Sequence, residues 1–186
     1  MNFTVVPLSI DWREKGAVSP VRGGKECIGG WTVSAVDALE GITKIKTGKL
    51  FTLSVQEIVD RNSSGNPGCD VGSTHEAFES IKQHGLTTEA NYHSGGNGTC
   101  NAKIEDESVT KITGYENVLA NSEQALMMEV ANQPVAVTVD ASGSDFQYYS
   151  SGVFTGKCGT SLDHGVTVVG YGNVSDNGLK YWLMVD

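Results

Sequence analysis

The sequence predicts an α+β fold with two lobes, helices leading and strands following. Two observations carry this. Apolar residues recur at helical spacing through the first third of the chain. β-Branched runs separated by glycine-rich turns fill the last third. Taken in order, a helix runs from near Gly30 to Thr47, with Trp31, Ala35, Ala38, Leu39, Ile42 and Ile45 on its apolar side and Gly48 as its stop. A second helix begins at Ser54, where Ser54-Val55-Gln56-Glu57 reads as a capping box. Residues 61–72 are rich in Asn, Ser, Gly and Pro and read as loop. A third helix spans about Ser73 to His84, with Gly85 as a left-handed stop. A fourth follows Asn121, with Gln124 completing another box, and Pro134 closes it. Strands then occupy 135–139, 164–169 and 181–185.

Composition narrows the function classes. The chain has 186 residues, enough to bury a core without metal staples, and its 39% apolar and 19% charged residues suit a globular protein. A net charge of −9 repels phosphate backbones and anionic bilayers, so neither nucleic acid nor membrane is expected as a partner. No apolar run approaches the roughly 20 residues of a membrane helix. The start, Met1 to Pro7, lacks the basic end and apolar stretch of a signal peptide and reads as a mature start. Four cysteines, at 27, 69, 100 and 158, form no C-x-x-C pair, so no metal site is expected. Sequons at Asn2, Asn62, Asn97 and Asn173 in a cysteine-bearing acidic chain point to the secretory route.

A set of ordered stretches adds a family resemblance. They are Asp11-Trp12-Arg13-Glu14-Lys15-Gly16-Ala17-Val18, Trp31 with Ser34-Ala35-Val36, Gly68-Cys69, Ala131-Asn132-Gln133-Pro134-Val135, Leu162-Asp163-His164-Gly165 and Val169-Gly170-Tyr171-Gly172. Over nearly its whole length the chain resembles the papain family of cysteine peptidases, in its plant branch. The resemblance implies an α-rich lobe over 10–115 and a β-barrel-like lobe over 116–186 joined by 1–9, with a cleft between. It also implies the family's chemistry: a helix-borne thiolate, an imidazolium, an amide that orients it, and donors for the oxyanion.

At the key positions this chain departs from the family. In Cys27-Ile28-Gly29-Gly30-Trp31 the nucleophile's place is held by Gly30, which cannot attack a carbonyl. The oxyanion glutamine's place is held by Gly24, and Ile28 replaces a pocket glycine. His164 retains the imidazole, and Asp186 takes the orienting asparagine's place. Loss of a nucleophile costs about 10⁶ in turnover in a well-studied triad protease, and loss of one oxyanion donor about 10²–10³.

The remaining parts of the cleft carry over. The family pattern pairs Cys27 with Cys69, a bridge worth roughly 4 kcal/mol in the chain-entropy account. It leaves Cys100 and Cys158 without their usual partners, as free thiols or a new pair. Gly72 and Asp163 would pair by backbone with a bound peptide, Thr138 and Gly165 would floor an apolar pocket, and Ser73 and Thr74 would wall it. His75, His84 and His93 read as surface residues, and Trp12 and Trp31 as lobe packing.

The function expected is a proteolytically inactive homologue that keeps a peptide cleft, with a peptide or prosegment as partner and no cofactor. An active endopeptidase, should the polypeptide carry Cys at position 30, and a storage or defence glycoprotein are the alternatives. The compartment implied is vacuolar, lysosomal or extracellular. Read as ending at Asp186, the last strand would expose an edge that invites self-association.

Overall fold

A computed structural model describes residues 6–22, 29–62, 72–92, 107–175 and 178–185. In chain order they form strand β1 (Ile10–Asp11), helices α1 (Gly30–Thr47), α2 (Val55–Asn62), α3 (Thr74–His84) and α4 (Glu123–Val130), strand β2 (Val135–Val139), the short helix α5 (Ser144–Gln147), and strands β3 (His164–Asn173) and β4 (Lys180–Val185). The α+β class holds, and the helices do precede the main strands.

The sheet is antiparallel and centred on β3. Along one edge β3 pairs first with β2, from Val139 opposite His164 to Val135 opposite Val168, and then with β1, where Asp11 meets Gly170. β4 takes the other edge, and the register slips between Val168 and Gly170. The bulge matters for packing. Val169 turns toward Trp12, Ala17 and Ile45, whereas Val168 and Tyr171 pack with Val130, Leu126 and Met127 of α4. β3 is therefore covered on both faces, which explains why residues 165–172 are buried almost without interruption.

A second core lies among the helices. Trp31, Ala35, Val36 and Leu39 of α1 pack with Leu53, Val55, Ile58, Ala77, Ile81 and Leu86. α1 runs between this core and the sheet, and Thr167 Oγ1 donates to Ser34 O (3.3 Å) across that contact. Trp12 is fixed at the other end by its Nε1, which donates to Val130 O (2.8 Å).

Several local expectations hold and several are corrected. α1 has the expected bounds, and Gly48 closes it in the left-handed region at φ 76°. α3 carries a complete box, with Ser73 Oγ accepting from Glu76 N and the Glu76 carboxylate accepting from Ser73 N. Gly85 has a positive φ of 75° but an extended ψ of −170°, so it ends α3 without being left-handed helical.

The box at Ser54 is only half made. Ser54 Oγ accepts from Glu57 N, but Ser54 N donates to Thr87 O, and the Glu57 carboxylate is drawn instead to Arg61 and Thr87 N. Arg61 and Asn62, expected in a loop, complete α2. The cap of α4 is Ser122, accepting from Ala125 N (3.1 Å), not Asn121, which has a positive φ of 58°. β1 and α5 went unanticipated, because two residues and four residues are too short to show a period.

Candidate functional site

The site is built where the start of α1 meets the start of β3. Gly29 caps α1 with its backbone in the extended region, and its carbonyl accepts from Thr32 N (2.9 Å) and Thr32 Oγ1 (2.7 Å). No acidic residue stands in the first turn, so the positive end of the helix dipole is not offset locally. His164 opens β3, half-buried and held opposite Val139.

The two starts are in close contact. A Cβ placed on Gly30 would lie 3.3 Å from His164 Cε1, 2.8 Å from Gly165 O and 3.0 Å from Gly165 N. A Cβ on Gly165 would in turn lie 2.6 Å from Gly30 O. Gly30 and His164, far apart in sequence, are thus neighbours, and a side chain at position 30 would require the Gly165 backbone to draw back slightly.

The other predicted residues distribute around this contact. Gly72 lies flat on the indole of Trp31, where a Cβ would approach the ring to 2.4 Å, so only glycine fits. Thr138 pairs with Gly165 across β2 and β3. Thr138, Thr74 and Leu162 face one open cavity of about 1020 Å³, whose apolar floor includes Leu39, Ile42 and Phe78. Ser73 and Gly165 are not in that lining, and the Ser73 hydroxyl is engaged in the α3 cap. Asp163 N donates to Val139 O (3.0 Å), and Asp163 Oδ1 accepts from Ala141 N (2.8 Å).

Gly24, Cys27, Ile28, Cys69, Cys100, Asn2, Asn97, His93 and Asp186 lie outside the described residues. Cys158 is an exposed free thiol. Asn62 and Asn173 are exposed, as are His75 and His84. Among the described residues no group of His, Cys, Asp or Glu could hold a metal ion, and no helix is long and apolar enough to cross a membrane.

Two buried ion pairs behind the site escaped sequence reading. Glu40 of α1, fully buried, pairs with Arg22 and accepts from Leu53 N (2.6 Å). Burial pushes the Glu40 carboxyl above its ordinary range, and Arg22 only partly opposes this. Arg22 also approaches Asp37 (3.6 Å) and Glu89 (3.7 Å), so it links α1 to the segments before α2 and after α3. Arg61 pairs with the fully buried Glu57 (2.5 Å) and donates to Gly85 O (2.8 Å). The i,i+4 spacing of Glu57 and Arg61 was the available signal, but helix-surface pairs share it.

Residues 6–186 match the family described as papain family cysteine protease. Vignain of Ricinus communis is 54% identical over 181 residues, covering 96% of this chain and 50% of that protein. The senescence-specific cysteine protease SAG12 of Arabidopsis thaliana is 53% identical over 181 residues, 96% of this chain and 52% of that protein. The chain spans about half the length of these relatives. Among solved structures, the proform of the Amb a 11 cysteine protease, a ragweed pollen allergen, superposes with a TM-score of 0.90 at 44% identity, covering all of this chain and 57% of that one. The bromelain protease of Ananas comosus in complex with the E64 inhibitor gives 0.86 at 41% identity, covering 97% and 83%. The α1–β3 junction, the two-layered packing around β3 and the match along nearly the whole sequence agree: this chain belongs to the papain family of cysteine proteases.

Proposed function

We propose that this chain is a peptide-binding member of its family in which Gly30 leaves no atom to attack a peptide bond. The observation that supports the reading is the close contact of Gly30 with Gly165 and His164, at which Gly30 presents a hydrogen and no side chain to the imidazole. A bound peptide would pair by backbone with Gly72 and the Asp163 carbonyl and direct a side chain toward the cavity with Thr138 and Thr74 in its lining. Its carbonyl would face the positive end of α1, yet without a thiolate no tetrahedral adduct forms and His164 has no proton to relay. Gly24 at the oxyanion position and Asp186 at the orienting position belong to the same reading. So do a Cys27–Cys69 bridge, lobes divided between residues 115 and 116, and glycans on the exposed Asn62 and Asn173.

A prosegment is the partner class favoured, because structural neighbours include proforms. A vacuolar or extracellular setting is proposed from the relatives, one of which is a KDEL-tailed cysteine endopeptidase.

The test combines intact mass with a thiol-reactive peptide epoxide and fluorescence polarisation with a labelled peptide. Binding without covalent mass gain is expected. Epoxide addition at Cys27, mapped by peptide sequencing, refutes the inactive reading, whereas alkylation of the exposed Cys158 does not bear on it. A second reading, an active endopeptidase, is favoured by the identity to relatives named as proteases, 50–54%. It requires a polypeptide with Cys at position 30, which a tryptic map across 21–36 decides.

A further inference from the structure

We propose that Asp140 is a positioning residue for the peptide cleft: its carboxylate holds the segment 159–162, and with it Leu162, at the edge of the cavity beside His164. The inference rests on the peptide-cleft reading above and adds a residue that the cleft itself does not contain.

β2 ends at Val139 and β3 begins at His164, and those two residues are partners in the sheet. Between them the chain makes a long excursion whose regular structure is confined to the single turn of α5. Such an excursion does not fix its own return point, because closing it is entropically costly and its ring contacts, Phe146 and Tyr149 on Phe154, lie within it and not at its ends. Two carboxylates, one at each end, fix it reciprocally. Asp163, at the return, accepts from Ala141 N (2.8 Å) just past the departure. Asp140, at the departure, accepts through Oδ2 from Ser161 N (2.9 Å) just before the return. Its other oxygen is occupied by Ser142 N (3.1 Å) and Ser142 Oγ (2.6 Å), which prevents the carboxylate from turning away.

Gly159 completes the arrangement. A Cβ there would lie 2.1 Å from Asp140 Oδ2, so the backbone is seated directly on the carboxylate. The Ser142 hydroxyl and the Ser161 and Ser142 amides hold the Asp140 carboxyl below its ordinary range, as expected of a charge-assisted cluster. Leu162, held between Ser161 and Asp163, is 64% exposed and lines the cavity together with Thr138 and Thr74. Releasing the segment would free that side chain, while Asp163 stayed held by Val139 O and Ala141 N and the β2–β3 ladder stayed intact.

Asp140→Asn tests this in the full chain. The amide keeps one acceptor and places a donor against the other site, so it cannot accept from both Ser142 and Ser161. Affinity is read with fluorescein-labelled Ala-Leu-Ala-Gly-Ser and its Leu→Gly counterpart, and hydrogen exchange is followed at the Ser161 amide. In Asp140→Asn we expect faster Ser161 exchange, about tenfold weaker binding of the leucine peptide, and loss of most of its preference over the glycine peptide. Weakening both peptides equally, or neither, overturns the proposal and leaves the peptide reading standing. Failure of the wild-type protein to bind either peptide removes that reading instead, and unchanged Ser161 exchange in the variant then overturns the clamp independently. Should Asp140→Asn fail to fold, Gly159→Ala displaces the same segment and is judged by the same three readings.

Discussion

Substituting Gly30 by alanine probes the junction on which the functional reading turns. The added Cβ would lie 2.8 Å from Gly165 O and 3.0 Å from Gly165 N, both closer than carbon normally approaches such atoms. Neither neighbour can rotate away, since both are backbone. β3 is also held along both edges, by β2 and β1 on one side and β4 on the other. The junction must open by a few tenths of an ångström, and overpacking of this kind costs about 1–3 kcal/mol. A gain in helix propensity of up to about 1 kcal/mol opposes it. For a domain of this size each kcal/mol moves Tm by about 2–4 °C. Calorimetry should therefore show a Tm lowered by up to about 12 °C. Gly165→Ala, whose Cβ would meet Gly30 O at 2.6 Å, should lower it at least as much. Gly114→Ala, with nothing within 4 Å, should be neutral or slightly stabilising. A Gly30→Ala protein more stable than wild type would refute the tight packing of this junction.

Other expectations follow from the same contacts. Gly30→Cys combined with Gly24→Gln should gain peptide hydrolysis that iodoacetamide abolishes, and no gain in a folded variant would show that the scaffold lacks more than these two side chains. Arg61→Ala removes the cation from the fully buried Glu57 and should cost about 3–5 kcal/mol in urea unfolding, whereas a loss below 1 kcal/mol would contradict the pairing. Stability against pH should have two limbs. The raised Glu40 carboxyl makes stability fall as pH climbs above 4.5 through its folded value, and Glu40→Gln should flatten that limb. Asp11 and Asp140 are held low, Asp11 chiefly by its Arg13 hydrogen bonds, so their contribution disappears as pH falls below 3.8 through their folded values. Urea midpoints from pH 2 to 8 would reveal both slopes, and parallel curves for wild type and Glu40→Gln above pH 4.5 would contradict the first.

Legibility in the sequence followed the range of the interactions. α1 could be bounded to the residue, because its apolar spacing and Gly48 are local signals. The three main strands were visible as β-branched runs, although β3 continues to Asn173 through a bulge that no periodicity announces. The cap of α4 was misplaced by one residue because Asn121 and Ser122 are both competent caps, and only the fold decides which has the extended backbone. At Glu57 the local pattern lost to a distant partner: a capping role was written into Ser54-Val55-Gln56-Glu57, but burial drew the carboxylate to Arg61 and Thr87 N. The juxtaposition of Gly30 with His164 came from family resemblance. The Asp140–Ser161 tie and the Arg22–Glu40 pair came from neither source, being hydrogen bonds and charges joined across many residues.

The seating of Gly72 on Trp31 gives the protein an optical probe of its own. An indole sheltered by a bare backbone changes its emission when that backbone moves or when water is displaced from its edge. Anything docking along Gly72 would therefore register in Trp31 without a label. Trp12 lies buried beneath the sheet and Trp182 packs on Tyr171, so both would serve as a steady background. Occupancy of the groove could thus be followed by light alone, whether or not any bond is ever cut.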